Sequence, residues 1–279
     1  MKQLQAKSSS RQREAQSELE RHEAKYIIEP ALVPQIREFI SPFCIPDPNA
    51  DGDPPEYTIV TLQLDSPTLT LHRAKELETV NRFKLRCRTY GMEGTAPVFL
   101  EIKRKIKGII VKSRTVIPRE LWEPDLFRTP VSEIPFKSRN QRMNFIEFRR
   151  LMHRLDARPT MLIRYVRESY LGRYDNYARL TFDRRLCYCP AQGWQLPPQG
   201  VRWRTMDSCT AQRRPYSGMI LELKTYRDAP EWMVELTERF DLVRVGFCKY
   251  STAMRLESLF SGAEYSDGAE NTTMGLIMT

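Results

Sequence analysis

Between Asn81 and Gly91 the chain reads NRFKLRCRTYG, so Lys84, Arg86 and Arg88 stand two residues apart with Leu85, Cys87 and Thr89 alternating among them. Strand side chains alternate between two faces, which puts three cations on one side and a largely apolar row on the other. The pattern recurs. FLEIKRK places Glu101, Lys103 and Lys105 on one face, and VKSR adds Lys112 and Arg114. RYVRESY offers Tyr165 and Arg167; YARLTFD offers Arg179, Thr181 and Asp183. ILELK gives Glu222 and Lys224, HEAKY gives Glu23 and Lys25, and FCKYS contributes Lys249. One such strand is an ordinary solvated face. For the whole set, the alternate residues Leu85, Cys87, Leu100, Ile102, Leu180, Phe182, Leu221 and Leu223 supply one apolar face, and the charged faces gather on the other. If the sheet closes, they line an interior. Same-face neighbours lie roughly 7 Å apart, where like charges repel by about 2.4 kcal/mol at an effective dielectric of ~20. That interior therefore needs water, glutamate partners or a polyanion. A chain of phosphates meets the requirement: Arg grips its oxygens in bidentate fashion and Lys acts as a point charge.

The bulk numbers agree with an anionic partner. The 279 residues carry a net charge of +9 and a pI near 9.3, which favours nucleic acid, phosphate compounds or an acidic membrane without choosing among them. No apolar run reaches the ~20 residues of a membrane helix, and MKQLQAKSSSRQREAQ has no apolar core of a secretory signal. The six cysteines lack C-x-x-C spacing; Cys187 and Cys189 stand as C-x-C. Reduced thiols in a cytoplasmic protein are expected. With only His22, His72 and His153, a histidine metal site or Ser-His-Asp triad is poorly supplied.

Residues 1–18 are expected to form a disordered tail and 263–279 a flexible C-terminal one, flanking a folded domain at 19–262. Strands are predicted at RHEAKYII, YTIVTLQLD, RFKLRCRTYG, VFLEIKRKIKGIIVKSRTVI, TMLIRYVRESYLG, YARLTFDRRLCYCP, SGMILELKTY and LVRVGFCKYS. Helices are predicted at ALVPQIREFISPF, APEWMVELTERFD and YSTAMRLESLF, and at QRMNFIEFRRLMHRL on the spacing of Met143, Phe145, Ile146, Phe148, Leu151, Met152 and Leu155. Residues 45–56 read as loop, and 66–80 as a helical or irregular connection. Residues 190–217 read as an excursion able to cover a tunnel mouth. Trp194, Trp203 and Trp232 read as packing residues, and Asp65 and Asp183 as turn or strand-end residues. No βαβ rhythm appears, so a mainly antiparallel sheet is expected.

The ordered series E-x-K-Y, L-x-L-D, R-x-K, K-x-R-x-R-x-Y-G, F-L-E-I-K-x-K, K-x-R, R-Y-x-R-x-S-Y, R-x-T-F-D, L-E-L-K and K-Y-S, over residues ~20 to ~260, resembles the VTC domain, the polyphosphate polymerase domain of the vacuolar transporter chaperone family. FLEIK with KLRCRTYG upstream is the most specific piece. The resemblance implies an α+β triphosphate tunnel fold: an antiparallel eight-stranded β-barrel with helices packed outside. It implies transfer of the γ-phosphate of ATP to a growing inorganic polyphosphate chain, with Mn2+ or Mg2+. The matching basic positions are Lys25, Lys75, Arg86, Arg88, Lys103, Arg167, Arg179 and Lys249; Tyr165 matches a tunnel tyrosine, and Glu222 the metal carboxylate. On this footing Arg86, Arg88, Lys103, Arg167, Arg179 and Lys249 are the expected catalytic residues. Lys25, Lys75, Lys84, Lys112, Arg114, Tyr165, Lys224 and Ser251 are expected to bind substrate, and Glu222 and Glu23 the metal.

The related CYTH hydrolases carry an E-x-E-x-K entry strand. Here the run is Arg21-His22-Glu23-Ala24-Lys25, whose first position favours the polymerase branch over a two-metal triphosphatase. The alternatives are a CYTH-type inorganic triphosphate or nucleoside triphosphate hydrolase, which Glu23 and Glu222 still serve, and a non-catalytic polyphosphate- or nucleic-acid-binding module with Tyr90, Phe99, Tyr165 and Tyr170 as a stacking surface. Expected partners are ATP and inorganic polyphosphate or triphosphate, with no nucleic acid. The eukaryotic relatives add a regulatory domain and membrane helices; neither is visible here. A soluble, stand-alone domain is expected, with association with a membrane partner left open.

Overall fold

Alternating faces become one antiparallel sheet. The computed structural model describes residues 22–107, 109–174, 177–226 and 228–261. The expected tails at 1–18 and 263–279, and Arg21, lie outside the described residues. The long strands are β1 His22–Ile28, β3 Glu56–Asp65, β4 Arg82–Tyr90, β5 Val98–Ile106, β6 Ile109–Ile117, β7 Arg158–Gly172, β8 Arg179–Pro190 and β10 Met219–Thr225. Two short strands, β2 Cys44–Pro46 and β9 Arg204–Thr205, add to β7 and β8. The helices are α1 Leu32–Ile40, α2 Thr70–Glu76, α3 Arg139–Arg154, α4 Cys209–Gln212, α5 Glu231–Arg239 and α6 Lys249–Ser261.

The eight long strands run β1-β10-β8-β7-β3-β4-β5-β6, each paired antiparallel with its neighbour. This is the expected α+β arrangement of an eight-stranded antiparallel sheet with helices packed against it, α1, α3 and α5 on its outer side. No ladder joins β1 to β6 among the described residues. The sheet curls instead until Lys103 of β5 reaches Glu23 of β1, Nζ to Oε2 2.6 Å.

The outward apolar rows make two helix-covered cores. Leu85, Cys87, Leu100 and Ile102 pack with Phe145, Phe148, Leu151 and Met152 of α3. Leu180, Phe182, Leu221 and Leu223 pack with Val33, Ile36 and Ile40 of α1 and with Trp232, Met233 and Leu236 of α5. Each fully buried side chain of this size contributes about 1.5–3 kcal/mol. Ser138 caps α3 by accepting from the Gln141 N–H at 3.2 Å. Met143 was expected on the buried face but is 52% exposed, because two residues from Phe145 is about 200° around a helix. Trp194 and Trp203 pack against the first core. Asp65 ends β3 and accepts from the Leu71 and His72 N–H groups at 2.8 and 2.9 Å, tethering the start of α2.

A third cluster lies on the concave side. Ile59, Ile163, Tyr165, Ile220 and Tyr188 pack there with Tyr250 and Ala253 of α6. A register shift between β7 and β8 produces it: Arg167 faces Asp183, whereas Ile163 faces Tyr188, with Arg185 at φ +52° between. The extra residue switches β8 parity, so Asp183 and Tyr188 both point inward.

Three expectations are corrected. LVRVGFCKYS is not a strand: a single bridge, Tyr26 with Arg244, joins it to β1, and Lys249 already begins α6. After the Val245 N–H bonds to the Lys25 carbonyl at 2.8 Å, the chain leaves β1 and turns Phe247 and Cys248 toward the concave side. Residues 190–217 line neither cavity described below: Leu196 is fully buried in the first core, the Trp194 carbonyl accepts from Trp122 Nε1 at 3.0 Å, and Met206 is buried in the third cluster. Cys44–Pro46, read as the edge of a loop, pairs with Tyr170–Gly172.

Candidate functional site

The register sets the cations in rows. Across β1, β10 and β8, Lys25 faces Glu222, which faces Thr181; Glu23 faces Lys224, which faces Arg179. Across β3 to β6, Gln63 faces Arg86, Arg86 faces Glu101, and Glu101 faces Arg114. Lys84 faces Lys103, which faces Lys112. All of these side chains except Thr181 and Glu101 line a cavity of about 340 Å³ whose wall carries eleven Lys and Arg residues but only two carboxylates, Glu23 and Glu222. A second cavity of about 510 Å³ adjoins it where β1 and β6 fail to pair, and Glu23, Lys25, Lys84, Lys103 and Cys248 line both.

Arg86, Arg88, Lys103, Arg167, Arg179 and Lys249 all line the first cavity, as do Lys25, Lys84, Lys112, Arg114, Tyr165 and Lys224. Lys75 and Ser251 do not. Lys75 is on α2 beside the second cavity, paired with Glu78. Ser251 is buried within α6, its Oγ 3.3 Å from His72 Nδ1.

Asp183, Glu222 and Glu101, together with Glu23 on Lys103, hold the cations in place. Arg167 grips Asp183 in a fork, Nε–Oδ1 2.6 Å and Nη2–Oδ2 2.7 Å, and reaches Glu222 Oε2 at 3.1 Å. Lys249 Nζ donates to Asp183 Oδ2 at 2.6 Å. Glu222 also meets Lys25 at 3.2 Å and Lys224 at 2.8 Å. Glu101 meets Arg86 at 2.7 Å and Lys112 at 2.6 Å. Arg88 is the outlier: 93% buried, with its nearest carboxylate at 3.9 Å and its Nε without a hydrogen-bond partner. A buried unmatched donor on a cavity wall is a place for a ligand acceptor.

Crowding shifts the titrations. Burial pushes Lys112 down to about 7, with Arg86 and Arg88 adding to the fall and Glu101 opposing it. Burial likewise lowers Lys103 to about 8 against the pull of Glu23. Burial opposes the Glu23 carboxylate, but Lys103 and Lys224 outweigh it and hold it at about 2. Lys224, Lys25 and Arg167 overcome burial to keep Glu222 well below the usual carboxylate range.

Two participants were not expected. Asp183 lies mid-strand and fully buried, an anchor and not a strand-end residue; the signal was its place on one face with Arg179 and Thr181. Cys248 had none. Its Sγ accepts from Lys84 Nζ at 2.8 Å; burial works against its thiolate, but Lys84 and hydrogen bonds from Ser251 bring it down to about 6. Iodoacetamide labelling of Cys248, followed by peptide mass spectrometry, is expected to plateau above about pH 7 and to slow when tripolyphosphate occupies Lys84. A labelling rate still climbing at pH 9 would contradict that ion pair.

For a metal, among the described residues no group of three or more His, Cys, Asp or Glu comes together. Glu23 and Glu222 share the cavity, and each feels the other's charge. Two carboxylates suit a hard divalent cation that completes its coordination with phosphate oxygens, the usual mode for Mg2+.

No curated protein matches the chain. Among solved structures, the one described as "Structure of PH1819 protein from Pyrococcus Horikoshii OT3" aligns at 12% identity with a TM-score of 0.43, covering 85% of this chain and 98% of that one. The family model of the VTC domain matches residues 20–257. That span takes in every strand whose inward side chains build the cavity, and the chain therefore belongs to the VTC domain family.

Proposed function

We propose that the protein is a polyphosphate polymerase that transfers the γ-phosphate of ATP to a growing inorganic polyphosphate chain. Membership in a family concerned with polyphosphate supports the substrate class. The observation that carries the reading is the charge inventory: eleven Lys and Arg residues and two carboxylates around one cavity of about 340 Å³. Phosphoryl transfer asks for in-line placement and charge stabilisation more than for covalent help. The terminal oxyanion of the chain attacks the γ-phosphorus, the bond to the β-bridging oxygen breaks, and ADP leaves with that electron pair. The nucleophile is already an anion, so no general base is required.

In this reading Arg86, Arg88, Arg167 and Arg179 clamp phosphate oxygens in an orientation that aligns attacker and leaving group. Lys25, Lys103 and Lys249 offset the charge of the transferred group. Lys84, Lys112, Arg114 and Lys224 continue the stripe for the rest of the chain, and the Tyr165 ring stays under Lys249, 4.6 Å from its Nζ. Glu222, with Glu23, would hold Mn2+ or Mg2+, which when bound supplies Lewis-acid neutralisation of the phosphate oxygens.

Purified protein given ATP and Mn2+ is expected to release ADP and build chains that gel electrophoresis resolves. Glu222→Gln should lose metal stimulation. Orthophosphate without chains would make it a triphosphate hydrolase instead, and binding without turnover a polyphosphate-binding module. No helix among the described residues is long and apolar enough to cross a membrane, and none of the six cysteines is in a disulfide.

A further inference from the structure

Glu101 differs from the other acids of the site. It sits on β5, the middle strand of three, and is fully buried. It is absent from the cavity lining that Glu23 and Glu222 share. Its two oxygens are divided between strands. Oε2 accepts from Arg86 Nε at 2.7 Å and lies 3.9 Å from Arg88, both on β4. Oε1 lies 2.6 Å from Lys112 Nζ and 3.6 Å from Arg114 Nε, both on β6. Four cations of the wall thus converge on one carboxylate behind it.

We infer that Glu101 is a positioning residue: it anchors Arg86, Arg88, Lys112 and Arg114 in the geometry a phosphate chain needs, and it takes no metal itself. The inference rests on the polyphosphate reading. Long basic side chains carry large rotamer freedom, and ordering four of them only when the anion arrives would cost affinity and alignment. A buried carboxylate orders them in advance. It leaves donors over, since Arg88 Nε and Arg114 Nε are buried without hydrogen-bond partners. It also blocks metal entry, because both its oxygens are engaged by cations and neither borders the cavity. Arg114 is fixed from a second side by the Phe99 ring, 3.6 Å from its guanidinium carbon.

The same arrangement ties Glu101 to the protonation of Lys112. Facing that ammonium are Arg86 and Arg88 from β4, Glu101 and Lys103 from β5, and Arg114 on β6; of these only Glu101 favours its charge. A merely structural glutamate would leave the pH dependence of anion binding unchanged. A positioning glutamate would not.

The test is tripolyphosphate binding to the full chain by titration calorimetry from pH 6 to 9.5, without metal, followed by polyphosphate synthesis at varied Mn2+. Wild type is expected to bind and to weaken above about pH 7 as Lys112 loses its proton. Glu101→Gln is expected to bind about 10²-fold more weakly at pH 7.5, with the alkaline loss moved to lower pH. Glu101→Asp keeps the charge but shortens the reach. It is expected to retain the wild-type pH profile and lose kcat with little change in the Mn2+ needed for half-activation. Should the glutamine variant fail to fold, the aspartate variant decides alone. Wild-type affinity, pH profile and kcat in a folded variant would overturn the inference, as would a raised Mn2+ requirement in Glu101→Asp, which would make Glu101 a ligand. Failure of the wild type itself to bind tripolyphosphate would instead remove the polyphosphate reading.

Discussion

Arg88→Ala is expected to lower polyphosphate synthesis by about 10³-fold or more while leaving thermal stability unchanged or slightly raised. Arg88 is 93% buried on the cavity wall, its closest carboxylate is 3.9 Å away, and its Nε has no hydrogen-bond partner. Its guanidinium carries a desolvation cost, to which Arg167 adds repulsion, and Glu101 is the carboxylate that opposes both. Truncation removes that cost together with the clamp. Steady-state synthesis measures the first effect and thermal unfolding the second. Saturating tripolyphosphate, at a hundred times its dissociation constant, stabilises by about 2.7 kcal/mol, or about 5–10 °C for a chain of this size; the variant should gain less. A folded Arg88→Ala protein with wild-type turnover would remove Arg88 from the reaction.

Arg167→Ala is expected to behave oppositely in stability, although Arg167 lines the same cavity. Its fork on Asp183 and its bond to Glu222 are short and buried. Asp183 is fully buried, and among the described residues Lys249 is the cation that remains against it after truncation. Breaking a buried pair from one side costs about 3–5 kcal/mol, here a fall of roughly 10 °C in Tm, with synthesis lost as well. The sign with pH follows from Asp183, whose carboxyl lies below its ordinary value because Arg167 and Lys249 outweigh burial. A lowered acid stabilises the folded state above its unfolded pKa, and that stabilisation is lost as pH falls through the folded value. The gap between wild type and variant should therefore be full at pH 7 and narrow below about pH 4. Adding Asp183→Asn to Arg167→Ala should restore part of the stability. If the double variant is no more stable than Arg167→Ala, the pair is not what holds β7 to β8.

The strands and their faces were legible because a two-residue period needs only local spacing. Leu85, Cys87, Leu100 and Ile102 sit beneath α3 as their alternation required, and Lys84, Arg86 and Arg88 line the cavity. Helical spacing likewise located α1, α3 and α5. Local spacing failed wherever a neighbour changed the geometry. The bulge at Arg185 switches the parity of β8, which alternation along the strand cannot anticipate. LVRVGFCKYS has strand-like residues, yet it takes up a single bridge with β1 before α6 begins.

Residue type and periodicity alone dictated that many strands would each turn a basic row and an apolar row to opposite sides, since that depends only on the pleat. Which acid answers which cation was decided by the tertiary structure. Asp183 and Arg167 stand 16 residues apart and Glu23 and Lys103 stand 80 apart, and Cys248 meets Lys84 across 164. Coulombic and hydrogen-bonding partners are chosen by distance in space: the β7–β8 register sets Arg167 opposite Asp183, and the curl of the sheet brings Lys103 to Glu23.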